Sequence, residues 1–190
     1  MPEPVHLICH EAAPERLLAR LAEHELDVVL SDAPAAAPLR PRAFHHLLGS
    51  CGVTLLAAPA LAKKYRHGFP GSLDGAPMLL PMEGCTLRRA IEQWFDSAGI
   101  RPRVVGEFQD SALLKAFGQA GAGIFAAPRA IEREIQTQHH VAVVGRPDKL
   151  VERFYAISVE RRLRHPAVVA ISEAARQGLF APGGAEGAER

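Results

Sequence analysis

Apolar positions along the chain alternate between helical and strand spacing. Val5-His6-Leu7-Ile8-Cys9 is a short β-rich run. Pro14-Glu15 then opens a predicted helix carrying Leu17, Leu18 and Leu21 on one stripe. Leu26-Asp27-Val28-Val29-Leu30 is continuously apolar after Asp27, the pattern of a strand covered on both faces. Strand, helix and strand in so short a span predict a βαβ unit with parallel strands. An Ala/Pro-rich loop over residues 33–42 follows, then predicted strands Ala43–Leu48 and Gly52–Ala57 and a helix from Pro59 to about Arg66. The turn-rich stretch Gly68–Ser72 predicts a lobe boundary.

A second alternating set begins at the strand Pro77–Pro81. Gly84-Cys85-Thr86 leads into a helix with Leu87, Ile91, Trp94 and Phe95 on one face, ended by Gly99. Val104–Phe108 reads as a strand, and Asp110 or Ser111 caps a helix whose buried face is Leu113, Leu114 and Phe117. Gly121 stops that helix before the strand Gly123–Pro128. A short helix (Ala130–Ile135), strands at Val141–Val144 and Phe154–Val159, and a last helix opened by Pro166 complete the set. The Gly/Ala/Glu-rich end, residues 183–190, is predicted to be disordered.

The chain has 190 residues, 48% apolar and 23% charged, a soluble globular composition. Its net charge of +1 is a poor footprint for a phosphate backbone, so nucleic-acid binding by this chain alone is not expected. No apolar run approaches the roughly 20 residues of a spanning helix. Met1-Pro2-Glu3-Pro4 has neither the basic nor the apolar region of a secretory leader. Three widely spaced cysteines, Cys9, Cys51 and Cys85, form no CxxC and predict reduced thiols in a cytoplasm.

Catalytic signatures are missing from the sequence. Gly118, Gly121 and Gly123 end a helix and open a strand, the reverse of a dinucleotide loop. No nucleophile elbow, Walker loop or HExxH helix occurs, and no cofactor is implied. The adjacent pairs His45-His46 and His139-His140 cannot both face one metal from a regular element; a pH-responsive role is their sharper reading. The informative features are two helix starts, Gly84-Cys85-Thr86 and Gln109-Asp110-Ser111, each following a predicted strand. In an open α/β sheet such turns lie at the carboxyl ends of parallel strands, where ligands collect. Free backbone N–H groups there favour anions, and Thr86 and Asp110 can equally serve as caps.

The arrangement resembles the effector-binding region of LysR-type transcriptional regulators. The carriers are Glu15–Leu21 with Glu25–Leu30, Pro81 with Gly84–Arg89, and Leu113–Pro128, whose Gly121-Ala122-Gly123-Ile124 and Pro128 match a family pattern. The likeness covers about residues 4 to 180. His10-Glu11 with Pro14–Leu21, Leu30–Pro34, Gly106–Gly118 and Phe154–Arg162 are similar more specifically to the family's sodium-responsive activators of Na⁺/H⁺ antiporter genes. The resemblance implies an α/β fold of two Rossmann-like lobes of the type 2 periplasmic-binding-protein kind. Lobe one would span 4–75 plus 160–180 and lobe two 76–159, joined by a two-stranded hinge.

The family's helix-turn-helix head, linker helix, and first strand and helix have no counterpart here, so lobe one would be incomplete. Val5–Cys9 then either closes up against Leu26–Leu30 or leaves backbone groups open. The resemblance further implies a small-molecule or ion effector, DNA contact through the head alone, no membrane partner and no catalysis. Family homo-oligomers set the lobe's first helix against a helix here near Ala130–Ile135. The implied effector contacts are Ser31 and Asp32 in lobe one, and Glu83, Cys85, Thr86, Asp110 and Ser111 in lobe two, with Phe125 as an apolar wall. Oxygens of Asp32, Glu83, Thr86 and Asp110 would suit Na⁺. A stand-alone solute-binding protein for a small anion is the alternative, and an enzyme on the same fold a third.

Overall fold

The computed structural model describes residues 5–34, 43–161, 163 and 165–180. Its elements run α1 (Pro14–Ala22), β1 (Val29–Ser31), β2 (Phe44–Ala57), α2 (Pro59–Arg66), β3 (Pro77–Pro81), α3 (Thr86–Ala98) and β4 (Arg103–Phe108), then α4 (Ser111–Gln119), β5 (Phe125–Pro128), α5 (Glu132–His139), β6 (Ala142–Gly145), β7 (Val151–Ser158) and α6 (Pro166–Ala174). The chain divides into two compact units, Met1–Ser50 with Arg153–Arg190, and Cys51–Glu152. The division falls inside β2 and β7. The reason is packing: Ala62 of α2 and Leu73 just beyond it are fully buried in the core of the second unit.

In the first unit, Pro14 at the start of α1 needs no hydrogen-bonding N–H there. Leu18 and Leu21 of α1 pack on Val29 and Ile157. β1 pairs antiparallel with β7, Leu30 opposite Ala156. The parallel βαβ reading of this region fails. Val5–Cys9 forms no strand and lies open, Leu7 57% and Ile8 70% exposed. Of the run Leu26–Leu30, only Val29 and Leu30 enter a strand, and Leu30 is 57% exposed. An extended run without a hydrogen-bonding neighbour gains nothing from strand geometry, so Val5–Cys9 stays unpaired.

The two predicted strands Ala43–Leu48 and Gly52–Ala57 are one 14-residue strand. Glycine marks a break in a sequence, but here Gly49 provides room for a neighbour. A Cβ on it would lie 2.2 Å from Cβ of Phe180, whose ring stacks on Phe154 at 5.2 Å. Arg176 donates to the Leu47 carbonyl at 3.2 Å. The end of the described chain thus rests on β2 and β7.

The second unit is a doubly wound sandwich. β3 and β4 are parallel, from Pro77 opposite Arg103 to Pro81 opposite Phe108. β3 also exchanges backbone bonds with Ile124, at 2.8 Å in both directions. β2 pairs antiparallel with β5 and β6. Alternate residues feed two cores. Val53, Leu55, Met78, Leu80, Ile124 and Ala126 face Ile91 and Phe95 of α3. Leu56, Leu79, Phe125 and Ala127 face Leu114 of α4 and Ile135 of α5. The disordered-tail reading concerns residues outside the described ones, as does most of the 33–42 loop.

Candidate functional site

In the second unit, β3 and β4 end side by side, and each passes through a short turn into a helix. Gly84 in the first turn has φ +93°, a conformation other residues rarely adopt. The cap of α3 is Cys85, whose Sγ accepts from the Arg88 amide at 3.3 Å; Thr86 is the first helical residue. Asp110 caps α4 as expected, Oδ1 accepting from the amides of Ala112 at 2.6 Å and Leu113 at 3.2 Å. A backbone bond from Met82 N–H to the Phe108 carbonyl, 2.9 Å, ties the turns together.

Glu83, Asp110 and Ser111 are exposed, and Cys85 and Thr86 half-buried. These five share the carboxyl edge of two adjacent parallel strands, with two helix N-termini opening there. The arrangement offers N–H groups and hydroxyls to an anion, and carboxylates to a cation. Asp110→Ala removes both cap bonds. The expected cost is about 1 kcal/mol, read as a lower denaturation midpoint with unchanged slope.

Ser31 and Asp32 lie in the first unit at the end of β1, both half-buried, and Ser31 Oγ accepts from the Ala33 amide at 3.2 Å. Phe125 is not an exposed wall. It is fully buried in the second unit, and a Cβ on Gly118 would lie 2.3 Å from its ring. Among the described residues, no three His, Cys, Asp or Glu side chains gather to hold a metal ion.

Pattern reading missed Arg88. Its residue is 7% exposed, and its guanidinium donates to the Pro81 carbonyl (2.9 Å), to Glu107 (2.6 Å) and to Glu92 (2.5 Å). Burial alone would make this cation easier to deprotonate; the two carboxylates outweigh it and raise its pKa. The Glu92 contact is an i, i+4 pair and legible in sequence. The Glu107 contact depends on strand pairing and is not. Phe117, 46% exposed, packs on Phe108 at 5.1 Å beside the second turn.

Histidines are dispersed. His46 Nε2 lies 3.1 Å from Ser158 Oγ, which itself donates to the Glu160 carbonyl at 2.7 Å, so His46 is the donor to Ser158. A hollow of about 440 Å³ in the first unit is lined by His24, Asp27, Glu160 and His165 among others. Its mixture of carboxylates and imidazoles selects no ligand class.

Two α/β units with helix starts at parallel strand ends have the fold of the periplasmic-binding kind. The sequence matches the LysR substrate binding domain over residues 2–179, and the chain belongs to that family. Within it, the chain is 35% identical over 180 residues, 95% of its length, to the transcriptional activator protein NhaR of Escherichia coli (strain K12), and equally to that of Shigella flexneri. It spans 59% of those relatives. Among solved structures, the regulatory domain of HypT from Salmonella typhimurium (apo-form) superposes with a TM-score of 0.67 at 19% identity, over 93% of this chain and 84% of that one. Vibrio fischeri DarR, solved in complex with DNA, gives 0.66 at 20% identity over 88% and 56%. The family match takes the chain away from the stand-alone solute-binding alternative. Among the described residues, no helix is long and apolar enough to cross a membrane.

Proposed function

We propose that this chain is the effector-sensing part of a LysR-type transcriptional activator that answers sodium and pH and controls a Na⁺/H⁺ antiporter gene. The observation that carries the sensing role is the pair of capped helix starts on adjacent parallel strands. The sodium reading rests on the 35% identity with NhaR across nearly the whole chain. Glu83, Cys85, Thr86, Asp110 and Ser111 are the effector contacts of the second unit, and Ser31 and Asp32 those of the first. For Na⁺, the second unit offers oxygens of Glu83, Thr86 and Asp110, and the first unit those of Asp32.

Binding works by selection. An effector that prefers one arrangement of the protein shifts the population toward it, by no more than its differential affinity. DNA is contacted by a helix-turn-helix segment outside this chain, in a cytoplasmic homo-oligomer. No step of this role is catalytic.

Calorimetric titration with NaCl against KCl at matched ionic strength tests the reading, between about pH 6.5 and 8.5, around the histidine range. Saturable heat with NaCl alone, reduced in Asp110→Ala, is the expected result. Identical heats in the two salts overturn the sodium reading. The two helix N-termini favour a second reading, a small carboxylate effector. In that case heat follows a potassium carboxylate and is indifferent to the cation.

A further inference from the structure

The geometry points to Arg88 as a positioning residue that locks the two helix starts at one fixed spacing, so that an effector touching either turn acts on both. This rests on the reading of those turns as the effector site. Three elements meet on one nearly buried guanidinium. The Pro81 carbonyl is the last of β3, immediately before the Met82–Cys85 turn. Glu107 stands one residue before the end of β4, beside the turn that Asp110 caps. Glu92 belongs to α3, as does Arg88 itself.

Nη1 serves both the carbonyl and Glu107, while Nε serves Glu92. A planar fork can hold these directions at once; an ammonium on a flexible stem cannot. Among the described residues of β3, α3 and β4, no other charged side chain is buried. A backbone bond from Met82 to the Phe108 carbonyl also links the two turns. Movement of Asp110 therefore pulls on Glu107, and through Arg88 on the first turn of α3.

Amide hydrogen exchange on the whole chain, with no effector added, tests the lock. In Arg88→Met, exchange at Met82, Arg89, Ala112 and Leu113 is expected to quicken on the order of tenfold. These amides are hydrogen-bonded at the two turns. The amides of Val53, Leu79 and Ile124, bonded elsewhere in the unit, are expected to keep their rates. Arg88→Lys should restore protection in part.

Should Arg88→Met fail to fold, Glu107→Gln leaves the cation in place and is expected to loosen Ala112 and Leu113 more than Arg89. Unchanged exchange at the turns overturns the proposal. So does a uniform acceleration across the unit, which marks a purely structural arginine. Because no effector is present, either outcome leaves the NaCl titration standing. A negative titration likewise leaves the lock standing.

Discussion

Phe125→Ala is expected to cost the second unit about 3–5 kcal/mol of stability, measured as a fall in its denaturation midpoint. The side chain is fully buried among Leu56, Leu79, Leu114 and Ile135. Helix α4 approaches so closely that only glycine fits at 118, facing the ring. With a backbone that closely packed on the ring, the site has little room to collapse, so much of the cavity stays open. The same variant separates two roles for this residue. An apolar wall of an effector site would lose affinity while the unit kept its stability. A core residue loses stability first, and that is the outcome the packing requires.

The next largest effect is expected at Glu132. One of its oxygens accepts from Thr54 Oγ at 2.6 Å and from Arg146 Nε at 3.0 Å, the other from Arg146 Nη2 at 2.7 Å. Thr54 is fully buried on β2. Glu132→Ala strands its hydroxyl without this acceptor, at a cost of about 1–3 kcal/mol. Thr54→Val in the same background should recover most of the loss, since an apolar group of like shape asks for no partner.

Acid reports on the same contact. Burial by itself would raise the Glu132 carboxyl, but the bonds from Arg146 and Thr54 and the nearby positive charges hold it below the ordinary 4.5. The folded state therefore binds this proton less readily than the unfolded chain. Its contribution is complete above the ordinary value and is lost as pH falls through the lowered one. Unfolding profiles of Glu132→Gln should show a shallower acid limb than the parent.

Local patterns predict the second unit well because its elements are locally determined. Pro77–Pro81, the helix stopped by Gly99 and the Asp110 cap all fall where spacing and turn chemistry put them. The errors come from contacts between distant residues. The uninterrupted apolar run Gly123–Pro128 is that of a strand covered on both faces, which leaves no open side on which Phe125 could meet a ligand. Val5–Cys9 has the composition of a strand, but pairing needs a neighbour, and composition says nothing about neighbours. Gly49 and Gly52 resemble punctuation, although at Gly49 the missing side chain admits Phe180. Arg88 looks like any surface cation of a helix until β3 and β4 are set side by side.

The nesting of one unit inside the other governs the order in which the protein can be built. Everything between Cys51 and Glu152 is contiguous, so that unit can close its contacts as soon as its own residues leave the ribosome. The other unit has to hold β1 and the first half of β2 in reserve until β7 emerges, because β1 finds its ladder only there. During that interval Val29, buried in the finished unit, is unprotected, and a chaperone or a nascent copy of the same chain would meet it first.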